Sequence, residues 1–455
     1  MKILLYVDPY VDISDKPEFK AVWFKDFLQN SIANLYNYSA VEGNNLEIKV
    51  LYPNILDDSH IKKEFAFIEF FSINQSEIKN IFISFNEYLS LQRANQNNDK
   101  FEQLNQIIVD KLQNFVPDII ILISSSAGYL KYAFPNSLIF FTESGLFNQV
   151  PFSGCQYFDC CPVMSESFLL KHKDEILSVN LNQDEQKFLS QVRNFFLESI
   201  SEHNSYKKGV AGLRKDFDHV ILLSLQVFDS PMFITQANFR DQIEYIKYVL
   251  DNVDSNIAVI VTEHYKDRIL GFKPIYNYFK NNYKNFIYWP ETASVGNSSQ
   301  FLLELVDGII TVSSTVGLQA LLHKKPLFVP SEISYLTTFC DGQDLTKIAD
   351  FLKRAQYQNK DGALYYLISR YYVVGQYYKN GKWFYNFLLN SLESFRKGVD
   401  FSFYNKIDDD RSLLDAVCQQ KYVDYLDEKN KKKVFKRLKN SIGKRLKKFI
   451  KNRYF

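Results

Sequence analysis

Residues 308–330 read Gly-Ile-Ile-Thr-Val-Ser-Ser-Thr-Val-Gly-Leu-Gln-Ala-Leu-Leu-His-Lys-Lys-Pro-Leu-Phe-Val-Pro. A β-branched run ends in three hydroxyl residues, a helical spacing of leucines follows, and a second apolar run begins at Pro326. Strand, hydroxyl turn, helix and strand within so few residues is the unit of a parallel sheet, because only a crossover brings the chain back to start a parallel neighbour. The same alternation runs through much of the chain. Strands are expected at 2–8, 46–52, 118–124 and 137–142, and again at 219–225, 256–262 and 285–288. Helices are expected at 19–36, across 77–116, around Tyr129, and at 165–205, 234–252, 275–281 and 298–306. Residues 344–400 read as helical and aromatic, with Trp383, Phe384 and Phe387 packing on the body.

Two such blocks imply an α/β protein of two doubly wound domains, each a parallel sheet covered on both faces. The expected division is 1–205, 206–400 and a helical tail, 401–455, with a hinge near 205–215. The chain has 455 residues, 46% hydrophobic and 16% aromatic, which provides for two cores and excludes a disordered chain. The longest apolar runs, such as Ile119 to Ile123, are too short to span a bilayer. The start of the chain lacks the pattern of a cleaved leader, so a cytoplasmic location is expected. Five cysteines form no CxxC pair and no zinc spacing, so reduced thiols are expected.

Charge is uneven. The chain holds 54 basic and 52 acidic residues, but the segment 429–455 holds 13 Lys or Arg and no acid. Without it, 41 basic residues face 52 acidic ones, a body of −11. In that segment Phe435, Leu438, Ile442, Leu446, Phe449 and Ile450 recur at spacings of three and four, an apolar stripe on a basic helix. Such a helix suits an anionic membrane surface, where each Lys or Arg contributes roughly 1 kcal/mol. Docking on the acidic body and binding to nucleic acid are the rival readings. The regular stripe argues against nucleic acid, since phosphate contacts need none.

Ligands of open parallel sheets bind at the carboxyl ends of the strands. There the sequence places Glu143-Ser144-Gly145, Gln226 with Asp229-Ser230-Pro231, Glu263-His264, Trp289-Pro290-Glu291, and the turn Ser313-Ser314-Thr315 with Gly317. Backbone N–H groups and a helix dipole at Ser313–Gly317 suit an anion, and Gly317 would let a ligand approach closely. The plainer reading is an ordinary helix cap. Glu143 and Asp229 have turn or cap readings beside catalytic ones. His264 reads as a ligand residue or a structural one, and Glu263 and Glu291 read as solvated or structural.

Gln226-Val227-Phe228-Asp229-Ser230 resembles the Gln-x-x-Asp-Ser signature of bacterial capsule-polysaccharide proteins that transfer Kdo, an acidic eight-carbon sugar. Glu143-Ser144-Gly145 resembles their Glu-(Asp/Asn)-Gly element, and Ser313 to Leu322 with Lys325-Pro326 resembles their nucleotide-proximal motif. The chain departs from them at Thr262-Glu263-His264-Tyr265, where a Lys-Pro-His-Pro-like element is usual and only the histidine matches, and at Ser144. The resemblance implies a retaining, metal-independent β-Kdo glycosyltransferase of the GT-B type, with two domains facing a cleft and CMP-Kdo as donor. It implies Asp229 as nucleophile, Glu143 as acid/base and His264 as an aid to the leaving phosphate. It also places donor contacts at Gln226, Ser313, Ser314, Thr315 and Gly317. No cofactor or metal is expected, and the acceptor would be a glycan or lipid-linked molecule at the inner face of the cytoplasmic membrane. Another CMP-linked nonulosonic acid, a different nucleotide sugar, or a non-catalytic scaffold of an assembly complex remain the alternatives.

Overall fold

The computed structural model describes residues 1–8, 24–56, 59–94, 98–123, 127–147, 152, 154–162, 166–201, 206–227, 231–264, 267–294, 298–354 and 357–418. The basic segment 429–455 and Asp229 lie outside these. The chain divides into two compact units. The first holds Met1–Asn148, Ser153–Val179 and Tyr365–Val417, and the second is built around Asn180–Leu364.

The first unit contains β1 (Lys2–Tyr6), β2 (Glu47–Pro53), β3 (Glu69–Ile73), β4 (Ile119–Leu122), β5 (Leu138–Ser144) and β6 (Cys155–Asp159). The second contains β7 (His219–Ser224), β8 (Ile257–Thr262), β9 (Phe286–Ile287), β10 (Gly308–Ile310) and β11 (Leu327–Phe328). β12 (Tyr372–Val374) returns to the first unit. The sheets run β12-β6-β5-β4-β1-β2-β3 and β11-β10-β7-β8-β9. In each, the strand that enters first lies between the second and the fourth, and the chain reverses its direction of travel across the sheet at that point. The second sheet is parallel throughout. Its middle strands are buried along nearly their whole length, as sheets covered on both faces require.

The first sheet corrects the expectation of purely parallel sheets. β6 and β12 pair antiparallel, β5 with β6 and β6 with β12. β12 also corrects the reading of 344–400 as helical. Tyr372-Val373-Val374 is a short β-branched and aromatic run inside helical neighbours, too brief to stand out by periodicity, and the open edge of β6 makes it a strand. β3 and β6 were not read from sequence for the same reason.

The domain boundary moves as well. Sequence alone places it at 205–206, whereas the helix Gln183–Ser201 packs within the second unit. Its Arg193 guanidinium forms a two-point ion pair with Asp361, at 2.6 and 3.0 Å, and donates to the carbonyls of Leu321 and Leu322. Phe196 meets the His323 ring edge-on at 5.2 Å. Residues 365–417 rejoin the first unit through the aromatic face of the helix Gly381–Lys397. Phe387 stacks on Phe140 at 5.5 Å, Phe384 meets Phe158 at 5.6 Å, and the Trp383 indole donates to the Ile407 carbonyl at 3.2 Å, so these three aromatics pack on the body as expected. Phe384 is fully buried, which gives roughly 1.5–3 kcal/mol, and the half-buried Trp383 and Phe387 give less.

No disulfide joins any of the five cysteines. Among the described residues, no helix is long and apolar enough to cross a membrane.

The helices Gly381–Lys397 and Ala33–Val41 approach closely, and a Cβ on Gly381 would lie 2.1 Å from the Asn34 carbonyl oxygen. Gly381→Ala should therefore destabilise the protein by about 1–3 kcal/mol through overpacking. Gly212, also helical, has nothing within 4 Å of its would-be Cβ. Gly212→Ala should leave stability unchanged or raise it by about 0.5–1 kcal/mol. Denaturant midpoints of the two variants check this contrast.

Candidate functional site

In the second unit the switch point lies between β7 and β10, which pair in register Ile221–Leu223 against Gly308–Ile310. The polar residues that follow both strands meet there. The Ser313 hydroxyl donates to Gln226 Oε1 at 2.9 Å, although the two are 87 positions apart in the chain. The backbone amide of Gln226 donates to Gln242 Oε1 at 3.4 Å. Beneath them lies a buried set of hydroxyls. Thr262 and Ser299 share a hydrogen bond of 2.8 Å, Ser299 and Ser224 one of 3.3 Å. Thr311 reaches the Ser224 carbonyl at 3.5 Å. Ser224, Thr262 and Ser299 are all buried. Ser299 and Gln242 were not legible as site residues, because each enters from a helix whose packing the sequence does not give.

The turn after β10 is more closed than its sequence suggests. The Gly317 amide donates to the Ser314 carbonyl at 2.9 Å, and those of Leu318 and Gln319 donate to the Thr315 carbonyl at 3.0 and 3.1 Å. The Ser314 amide points to the Thr311 hydroxyl and the Val316 amide to the Ser314 hydroxyl, each at 3.4 Å. These last two are long, so a stronger acceptor would displace them readily. The groups turned outward are the half-buried Ser314 and Thr315. Thr315 makes no side-chain cap to the helix Val316–Leu322. From the other side, Ser334 donates to the Val312 carbonyl at 2.5 Å and Tyr335 to the Ser313 carbonyl at 3.3 Å, fixing the turn.

Gly317 has a different use from the one expected. Its missing Cβ would lie 2.9 Å from Thr311 Cγ2, 3.0 Å from Leu336 Cδ1 and 3.2 Å from Leu327 Cδ1. It lets the helix lie close on the sheet. The glycine therefore has a packing reason of its own, beside the expectation that a ligand approaches its backbone.

At the end of β8, Glu263 is 5% exposed, which selects the structural of its two readings over the solvated one. Its Oε2 accepts from the Tyr288 hydroxyl at 2.5 Å and its Oε1 from the Leu270 amide at 2.7 Å. Burial pushes its pKa up to about 7, outweighing the stabilising effect of those two donors and of Arg268 on the ionised form. His264, next along, is half-buried, and its carbonyl accepts from the Asp267 amide at 2.9 Å.

Glu143 lies on the other unit, in β5, opposite Tyr157 of β6. It is half-buried, and its Oε1 accepts from the Ser144 amide at 2.9 Å. The glycine that follows is required by packing, since a Cβ on Gly145 would lie 2.4 Å from the Tyr372 ring and 2.7 Å from the Cys155 sulfur. The structure thus joins Gln226 to Ser313 at one switch point, sets His264 at the end of the adjacent strand, and places Glu143 on a separate unit.

Two other features do not belong to this site. A cavity of about 530 Å³ is lined by Arg193, Glu198, Glu304, His323, Lys324 and Lys325 among others. It opens before β11, opposite the strand ends just described, and Arg193 there is already paired with Asp361. The buried group Asp159, Cys160 and Cys161 has metal-ligand chemistry. However, the Asp159 oxygens accept from the Tyr371 hydroxyl at 2.7 Å and from the amides of Cys161 and Phe168, so the carboxyl is a structural tie.

The raised pKa of Glu263 fixes the sign of a pH effect. Between its ordinary value of 4.5 and about 7 the folded state holds a proton that the unfolded state has lost. The stabilisation is complete below 4.5 and is lost as pH rises to about 7. Unfolding free energy measured from pH 4 to 8 should fall more steeply for the native chain than for Glu263→Gln, with the difference developing in that interval. Parallel curves would remove the assignment.

A family model described as "Capsule polysaccharide biosynthesis protein" matches residues 192–378, less than half of the chain. No curated protein matches. Solved structures similar to this chain include KpsC of Thermosulfurimonas dismutans, a β-Kdo 2,7-transferase, at 9% identity over 72% of this chain and 95% of that one, with a TM-score of 0.36. A glycosyltransferase of Rickettsia africae is 10% identical over 88% and 99%, with a TM-score of 0.34. The UDP-GlcNAc 2-epimerase of Neisseria meningitidis, bound to UDP-GlcNAc, is 11% identical over 80% and 94%, with a TM-score of 0.33. The matched stretch 192–378 takes in β7 to β11 and every polar group at their carboxyl ends described above.

Proposed function

We propose that the chain is a glycosyltransferase that uses a nucleotide sugar, with the donor phosphate docking at the switch point between β7 and β10. The observation that carries this reading is the hydrogen bond between Ser313 and Gln226, which assembles a polar edge from two separate motifs at the place where open parallel sheets bind ligands. The outward hydroxyls of Ser314 and Thr315 are neutral donors aimed at an anion. As the bond to the sugar breaks, negative charge grows on the departing phosphate, and preset donors stabilise that charge more than they stabilise the bound donor. His264 would add a hydrogen bond or a proton from the end of β8.

The sugar is assigned by the motif resemblance. CMP-Kdo is the first donor to test, and another CMP-linked nonulosonate or a UDP-sugar would satisfy the same phosphate contacts. Asp229 is proposed as the carboxylate nucleophile that makes transfer retaining, and Glu143 as the acid/base for the acceptor hydroxyl. The acceptor is proposed to be a glycan or a lipid-linked molecule.

Incubation with CMP-Kdo, a CMP-nonulosonate and UDP-GlcNAc, followed by assay of free CMP or UDP, tests the reading. Release from one donor should fall by at least about a thousandfold in Asp229→Asn and by about a hundredfold in Ser314→Ala. Turnover of none of them, with and without a glycan acceptor, would leave a scaffold protein instead.

The basic segment 429–455 is proposed to hold the enzyme at an anionic membrane. Flotation with vesicles containing phosphatidylserine should recover the full chain and lose it on deletion of that segment, and the binding should weaken as salt rises. Equal recovery of both proteins would discard the membrane role.

A further inference from the structure

Every acceptor oxygen of the Glu263 carboxyl is engaged by this chain. One takes the Leu270 amide, at the far end of the loop that Glu263 begins, and the other takes the Tyr288 hydroxyl, just beyond the adjacent strand β9. Near them the Asp267 amide donates to the His264 carbonyl, and the Arg268 guanidinium donates to the Ala293 carbonyl. A buried acid so occupied cannot touch a substrate, but it decides the path of the backbone that carries its neighbour.

We propose that Glu263 is a positioning residue for His264: its carboxyl ties the Leu270 amide and the Tyr288 hydroxyl to the end of β8 and so sets where the imidazole of the next residue stands at the carboxyl edge of the second sheet. The inference rests on the reading of His264 as a donor to the leaving phosphate. An aliphatic or small polar residue at 263 would leave the Leu270 amide and the Tyr288 hydroxyl to compete for water at a buried site, and the loop would relax. The groups facing the carboxyl are Arg268, which favours its ionised form, and Asp267, which opposes it, both from the loop, together with the phenol of Tyr288. Glu291 acts in turn on Tyr288, whose own pKa is pushed up by burial and by Glu263. Since the Glu263 carboxyl titrates at about 7, the latch changes protonation in the neutral range.

The test uses the full chain and four variants, Glu263→Ala, Glu263→Gln, Tyr288→Phe and His264→Ala. Hydrogen exchange of the Leu270 amide needs no donor and should quicken by about tenfold or more in Glu263→Ala, less in Tyr288→Phe, and least in Glu263→Gln, which keeps one oxygen acceptor. With the donor that turns over, Glu263→Ala should lower kcat about as far as His264→Ala does, with KM nearly unchanged. The double variant should lie within about threefold of His264→Ala alone, because one residue acts through the other. Glu263→Gln should recover most of kcat and flatten the pH profile near 7. Unchanged Leu270 exchange in Glu263→Ala, or normal kcat in that variant while His264→Ala is impaired, overturns the latch and spares the role of His264. Normal turnover by His264→Ala overturns both.

Discussion

Both units depend on one topological fact: a first strand placed in the middle of its sheet, with the chain travelling outward to one side and then to the other. The crossovers of β7–β8 and of β10–β11 leave in opposite directions, so the loops after β7 and β10 diverge and leave their polar ends exposed together. The hydroxyl of Ser313 finds Gln226 because of this divergence. No charge attraction is needed to bring them together, and none of the hydrogen bonds beneath them involves an ionised group. The buried layer of Ser224, Thr262 and Ser299 makes the floor of the edge polar but neutral. A floor of that kind favours an anion through oriented dipoles while leaving no buried charge to be compensated when the site is empty.

The first unit treats the same topology differently. There the switch point lies between β1 and β4, and side chains of the unit itself occupy it. Asp8, almost wholly buried, accepts from the Tyr88 hydroxyl at 2.5 Å, and Tyr6 and Tyr129 share a hydrogen bond of 2.8 Å beside it. Burial pushes the pKa of all three tyrosines up. Glu143 lies on β5, beside β6 and β12, where the pairing turns antiparallel. Gly145 is there because Tyr372 and Cys155 leave it no room for a side chain. A glycine that reads as part of an active-site motif thus has a packing reason of its own, as does Gly317 in the second unit.

Much of the fold was legible because strands buried on both faces must be short and apolar, and the helices between them must be amphipathic. Ile119–Leu122, His219–Ser224 and Ile257–Thr262 lie within a residue or so of where their runs place them. The strands that escaped were β3, β6 and β12, of which β3 and β12 have a partner on one side only. At the candidate site, the hydroxyl turn and Gln226 were legible as residues that follow strands. For Glu263 the sequence left a solvated and a structural reading open, and only Tyr288 and Leu270, brought to it by the fold, decide for the structural one.

By itself the sequence determined that the chain forms α/β units, that polar residues cluster after its strands, and that its basic residues concentrate in 429–455, because periodicity, turn chemistry and charge are local properties. Tertiary structure alone decided that residues 365–417 return to the first unit, that Gly317 packs close on Thr311 and Leu327, that Gln242 joins Gln226, and that Ser299 joins Thr262 and Ser224. The physical reason is that these depend on which surfaces meet. Close packing, edge pairing and the burial of a carboxyl are set by residues far apart in the chain, and no local pattern encodes their distance.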